Sequence, residues 1–131
     1  MSTENSNQNN TPSLPDTMPG IDVKDGLGRV RGNIKLYLML LNQYAGGTDE
    51  YSGVDKLIEA NDIKGAAEKA HAIKGIAGNL GIKTVFEKAL TLEGLLKNEN
   101  SDADRIAGAK ALDDSRTEAV ASIELLKEYL K

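Results

Sequence analysis

The sequence predicts an all-α fold: an up-and-down antiparallel four-helix bundle with a short extra N-terminal helix. Three observations carry this. Apolar residues make up 40% of the 131 residues but aromatics only 4%, and Ala, Leu, Ile, Glu and Lys are abundant, a mixture that favours helices. Apolar positions recur at steps of three and four, with no competing alternation at period two. The links between these periodic stretches are short and polar, which favours antiparallel neighbours. The length suits one domain with its own core.

The elements follow in order. Residues 1–19, "MSTENSNQNNTPSLPDTMP", are polar, hold all three prolines and lack periodicity. They read as a disordered tail or linker, with the bundle domain over 20–131. Asp22 is placed to cap a short helix in "VKDGLGRV". Glycines 26, 28 and 32 come near a dinucleotide-binding fingerprint, but the spacing is wrong and no strand precedes them. Asn33 is an N-cap for a helix with Ile34, Tyr37, Leu38, Leu41 and Tyr44 on its apolar face, ended by Gly46-Gly47. A further helix is expected from about Thr48 to Ala60, with Val54, Leu57 and Ile58 as its apolar side.

Asp62 then caps "IKGAAEKAHAIKGIAGNL", whose Ile63, Ala66, Ala70, Ile73, Ala77 and Leu80 form one seam, and Gly81 is its C-cap. Ile82, Val85, Ala89, Leu92 and Leu96 repeat the pattern in the next helix. Ser101 caps the last, with Asp104 three residues on as a weak capping box. Its seam is Leu112, Ala119, Ile123, Leu126 and Leu130.

Composition excludes several chemistries. The net charge is -4 and no basic patch interleaved with aromatics occurs, so nothing resembles a nucleic-acid footprint. With no cysteine, disulfides and thiolate chemistry are excluded, and a single histidine excludes a multi-histidine metal site in one chain. No segment approaches the ~18 apolar residues of a membrane span, and no signal peptide is visible. A cytoplasmic protein is the expectation. A monomer is expected, since no long apolar surface is left over beyond the seams.

The one histidine lies in "HAIKGIAGNLG", residues 71–81. At ~100° per residue, His71 falls more than a quarter turn from the seam, at its edge or outside. Its neighbours on that face are Lys64, Ala67, Lys74, Gly75 and Gly78. Each glycine costs roughly 1 kcal/mol relative to Ala in a helix interior, and the seam does not require either of them. What they do is clear space for another surface beside the imidazole. Lys74 sets an ammonium within reach of anything negative bound there. Free imidazole has a pKa of about 6.5, so at neutral pH it is mostly uncharged and nucleophilic. The natural electrophile is a phosphoryl group on a partner, because its transfer asks for positioning and cations and little more. Against this stands the ordinary reading, a surface histidine with a lysine one turn away on a solvated face.

"AHAIKGIAGNLG" closely resembles the signature of histidine-containing phosphotransfer (HPt) domains, a His-x-x-Lys-Gly core followed by small residues and a closing glycine. "GIDVKDGLGRVRGNIKLYLMLLNQY" and "ALTLEGLL" resemble the same family, so the likeness spans about Pro19 to Lys97, and less distinctly the last helix. Tyr44 stands where the family often has Phe. The resemblance implies a four-helix bundle, of the kind found at the C-terminus of hybrid sensor kinases. It further implies a phosphocarrier that takes a phosphoryl group from one receiver-domain aspartate and passes it to another. His71 would be the phosphoacceptor, Lys74 the adjacent cation, and Gly75 and Gly78 the small residues that admit the receiver. Glu93 sits where relatives often have a Glu or Gln that touches the histidine, and Lys64 is a further supporting residue. The partners are response-regulator receiver domains. No cofactor is held by the chain itself, because Mg²⁺ is supplied by the receiver, and no metal site is expected.

No Walker A stretch or kinase-type glycine loop is present, so a carrier without ATP-dependent kinase activity is expected. The alternative is a helical module that binds receivers without transferring phosphate. A hydrolase with His71 as general base would need a nucleophile or metal that the neighbouring Lys and Gly do not provide. Ile82 and the helix begun by Asn33 are candidate docking residues.

Overall fold

The computed structural model describes residues 13–130. Most of the tail therefore lies outside the described residues, as does the side chain of Leu130. The tail or linker expected over 1–19 is described only from residue 13 on. Thr17–Met18 (β1) and Ile21–Asp22 (β2) form an antiparallel hairpin, pairing Thr17 with Asp22 and Met18 with Ile21. Pro19-Gly20 makes the turn, with Gly20 at φ +80°, the conformation a type II turn demands at that position. The hairpin is anchored to the body: the Ser122 hydroxyl donates to the Pro19 carbonyl at 2.7 Å, and Asp22 N–H to the Gly81 carbonyl at 2.7 Å.

Six helices follow: α1 Val23–Arg29, α2 Ile34–Gly46, α3 Val54–Glu59, α4 Ile63–Leu80, α5 Lys83–Lys97 and α6 Asp102–Leu126, closed by a 3₁₀ turn over Lys127–Leu130. The fold is all-α with only the small hairpin added. The long helices α2, α4, α5 and α6 make the bundle, with α1 as the short N-terminal extra. Four caps sit where the sequence puts them. Asp22, Asn33, Asp62 and Ser101 each accept a backbone N–H three residues on, at 2.9–3.0 Å. Gly81 ends α4 in the left-handed conformation, φ +74°.

The seams form the core. Ala66, Ala70, Ile73, Ala77 and Leu80 of α4 are buried, as are Val85, Ala89, Leu92 and Leu96 of α5, and Leu112, Ala119, Ile123 and Leu126 of α6. Small residues along α4 let α5 pack closely against it. The helix expected over 48–60 is shorter, starting only at Val54. Gly53 takes φ +78° and its N–H reaches the Asp113 carboxylate at 3.3 Å. Tyr51 meanwhile folds back to stack on Tyr44, ring centroids 5.2 Å apart. Tertiary contacts thus divert the chain out of its first helical turns.

Arg116, 6% exposed, sits on the buried side of α6. Its guanidinium lies 4.7 Å from the Tyr44 ring centroid and donates to the Tyr44 and Ala45 carbonyls at 3.2 and 2.9 Å. It thereby adds hydrogen bonds to the carbonyls at the C-terminal end of α2, where the Tyr44 carbonyl also accepts from Gly47 N–H at 3.1 Å. The Tyr44 hydroxyl is buried with no hydrogen-bond partner among the described residues, so the side chain contributes here as an apolar ring.

Two glycines set how α1 crosses the end of α4. A Cβ on Gly26 would lie 2.3 Å from the Leu80 carbonyl oxygen and 2.4 Å from the Tyr37 hydroxyl. That hydroxyl donates to Leu80 at 2.7 Å, and burial raises its pKa, so it stays a donor. A Cβ on Gly81 would meet the Asp22 carbonyl oxygen at 2.4 Å. Gly26 therefore answers to packing, and not to a bound dinucleotide. Gly26→Ala is expected to destabilise the domain by roughly 2–4 kcal/mol, by overpacking and loss of the buried Tyr37 bond. Thermal unfolding followed by circular dichroism should show the midpoint falling by roughly 5–15 °C.

Candidate functional site

His71 lies in the middle of α4, on its outer face, with 66% of its side chain exposed. Its Nδ1 is 2.8 Å from Oε2 of Glu93 on α5. Glu93 is nearly out of water, 4% exposed, yet ionised. Its other oxygen, Oε1, accepts from Lys74 Nζ at 2.7 Å, and Oε2 accepts a second bond from Lys97 Nζ at 2.9 Å. These bonds, those to Lys74 and Lys97 foremost, hold the carboxyl at a pKa of about 2 against the desolvation that would raise it. A carboxylate only accepts, so Nδ1 carries the proton and donates it to Glu93. In the neutral ring the free lone pair is then on Nε2, the nitrogen turned away from the carboxylate.

The helix register explains this meeting. Phe86, Leu90, Glu93 and Lys97 recur at steps of four, three and four along one edge of α5. His71, Lys74, Gly75 and Gly78 share the facing edge of α4. Both edges flank the packed seam, so the most buried member, Glu93, sits just under the rim and the rest open outward. A shallow depression of about 320 Å³ beside the ring is lined by Ala67, Glu68, His71, Glu93 and Lys97.

The other residues singled out from sequence take varied places. Lys74 is spoken for: its side chain is only 22% exposed and its ammonium is bonded to Glu93, so it acts first on the carboxylate. Gly75 is exposed, and a Cβ there would meet nothing within 4 Å. Gly78 is not bare in the same way, because the Phe86 ring lies over it, 3.2 Å from where a Cβ would be. Lys64 is exposed in the first turn of α4, two turns before His71, and does not line the depression. Ile82 is fully buried and cannot dock a partner. Lys97 and the exposed apolar residues Phe86 and Leu90 were not read from sequence. The Glu93–Lys97 spacing of four residues was a usable signal for the first.

Among the described residues no cluster of three or more His, Cys, Asp or Glu side chains could hold a metal ion. No helix among them is long and apolar enough to cross a membrane.

A helical bundle that exposes its one histidine is consistent with a histidine phosphotransfer domain. The Hpt domain family model matches residues 45–129, about two thirds of the chain, and the chain belongs to that family. The family's activity is histidine phosphotransfer in two-component phosphorelays, in which Hpt domains interact with receiver domains. The match takes in α6, where the sequence resemblance was indistinct, and begins after the stretch 19–44 that also resembled the family. Neither the curated proteins nor the solved structures compared with the chain yielded a match.

Glu93 makes the site's stability pH-dependent. Its folded pKa, about 2, lies below the ordinary 4.5. The contribution is therefore complete above pH ~4.5, is lost as pH falls from there to ~2, and is absent below. Wild type is expected to exceed Glu93→Gln by roughly 1–3 kcal/mol at neutral pH, with the gap closing across that window. Urea unfolding of both proteins at a series of pH values measures it, and a gap independent of pH would refute the assignment.

Proposed function

We propose that the protein is a phosphocarrier in a multistep phosphorelay, accepting a phosphoryl group from a receiver-domain aspartate on His71 and passing it to the aspartate of another receiver. The observation that carries this is the Nδ1–H···Glu93 bond on an otherwise exposed ring. In the neutral ring this bond puts the lone pair on Nε2, so the nucleophile needs no separate base.

In the proposed step the Nε2 lone pair attacks phosphorus as the bond from phosphorus to the aspartyl oxygen breaks. The bonding electrons leave with the aspartate carboxylate. The ring keeps its Nδ1 proton and becomes cationic, with Glu93 beside it as counter-ion. A cationic phosphoimidazole is a good donor, so the same arrangement serves onward transfer in the reverse sense. No proton has to enter or leave. We assign the Mg²⁺ that neutralises the phosphoryl oxygens to the receiver, and no cofactor to this chain. We take it to act as a monomer, in the cytoplasm where receivers act, either free-standing or as the end of a hybrid kinase. Gly75, Gly78 with its covering Phe86, and Leu90 would form the face that meets the receiver; they offer open helix surface at Gly75 beside two exposed apolar side chains.

The decisive experiment mixes the protein with a receiver domain carrying labelled aspartyl phosphate and Mg²⁺. Wild type is expected to take label, stable to alkali and labile to acid as a phosphoramidate is, and His71→Gln to take none while staying folded. Label on the variant would refute the assignment. Receiver binding without transfer by wild type would favour the non-transferring module instead.

Gly75 allows a second check. Gly75→Gln adds a helix-forming side chain where there is open space, and is expected to raise stability by roughly 0.5–1 kcal/mol. The same side chain should raise the receiver concentration needed for half-maximal transfer by about tenfold. A stabilised variant that transfers like wild type would mean that the receiver does not approach over Gly75.

A further inference from the structure

Glu93 Oε2 is shared. It accepts from His71 Nδ1 at 2.8 Å and from Lys97 Nζ at 2.9 Å, while Lys74 occupies the other oxygen. The two lysines are not equivalent. Lys74 is largely covered and does not line the depression beside the ring, whereas Lys97 has 62% of its side chain exposed and does line it. Lys97 is thus the cation on the open side of the imidazole. The charged groups around the ring are Glu93 and Glu68 against Lys74 and Lys97. With both lysines the set is neutral. Without Lys97 it carries one net negative charge, in the space where a phosphoryl dianion would have to arrive.

We propose that Lys97 is a positioning residue for phosphoryl transfer: it holds Glu93 Oε2 against His71 Nδ1–H and cancels the carboxylate's repulsion of the phosphoryl group at Nε2. This rests on the phosphocarrier reading and extends it to a residue on a different helix from the histidine. Two consequences separate it from a role in folding. Lys97 is 62% exposed and Glu93 keeps its bonds to Lys74 and His71 without it, so its loss should leave the domain folded, at a modest cost from weakening the buried carboxylate's pairing. Its effect on transfer should instead be electrostatic, and so weaken with salt.

The experiment compares wild type, Lys97→Gln, Lys97→Arg and His71→Gln, each receiving label from a receiver domain charged with labelled acetyl phosphate and Mg²⁺. Rates are taken across receiver concentrations at about 0.05 M and about 0.5 M NaCl. Lys97→Gln is expected to lower the saturated rate about threefold to tenfold at low salt, to leave the half-saturating receiver concentration within about twofold, and to stay folded at the assay temperature with the circular dichroism spectrum of wild type. Lys97→Arg should recover most of the rate, and the deficit of Lys97→Gln should shrink at high salt. A Lys97→Gln protein with the wild-type saturated rate at low salt would overturn the role of Lys97 alone. So would a deficit that salt leaves unchanged and Arg does not rescue. Failure of wild type to take label, or label on His71→Gln, would overturn the carrier reading and this inference with it.

Discussion

Burying the carboxylate of Glu93 is the constraint on which the site depends. An ion taken out of water at the junction of α4 and α5 must have its lone pairs filled or it will take up a proton. Here Lys74, Lys97 and the His71 ring fill them, with four side chains from two helices converging within 2.7–2.9 Å. The arrangement works in both directions. The cations keep the carboxylate ionised, and the ionised carboxylate fixes which ring nitrogen holds the proton. Were Glu93 neutral, nothing in the cluster would distinguish Nδ1 from Nε2. The seam fixes the distance between the helices. Alanines at 66, 70 and 77 bring α5 near enough for a glutamate on its edge to reach a histidine on the edge of α4.

Most of the fold was legible in the sequence because its signals are local or periodic. Side-chain caps at Asp22, Asn33, Asp62 and Ser101 depend on a residue three positions on, and a seam such as Ala70, Ile73, Ala77 depends on a repeat. The departures involve contacts that neither a cap nor a repeat announces. The 48–60 helix lost its first turns to contacts with Tyr44 and Asp113, and the hairpin at 17–22 exists because Ser122 and Gly81 hold it. Arg116 belongs with these. On α6 it reads as an interruption of the apolar face. Only in three dimensions is it a donor to the carbonyls at the end of α2.

The candidate site was legible in its centre and not at its margins. His71 off the seam, with a lysine and a glycine just beyond, could be read from helical geometry. Its tautomer could not, because that depends on Glu93, 22 residues away on another helix, and family likeness alone suggested the contact. Lys74 shows the limit of reasoning on one helix. Spacing put its ammonium near the ring, but the strongest anion in reach is the buried carboxylate, which claims it. Gly78 was read as bare surface for the same reason, since Phe86 comes from the other helix to cover it.

The ring consequently lives in two media. Nδ1 faces a low-dielectric pocket where a charge-assisted bond is strong, and Nε2 faces water, where a partner can reach it. A wholly exposed histidine would rotate and exchange tautomers, so only part of the population would present the right nitrogen. A buried one would present it to nothing. Two edges of adjacent helices are enough to provide both conditions, which is why the cluster sits at the rim of the bundle and not in its core. The glycine at 75 then has a physical reason in the carrier reading: helix propensity is given up on the one face where a second protein must come within bonding distance of Nε2.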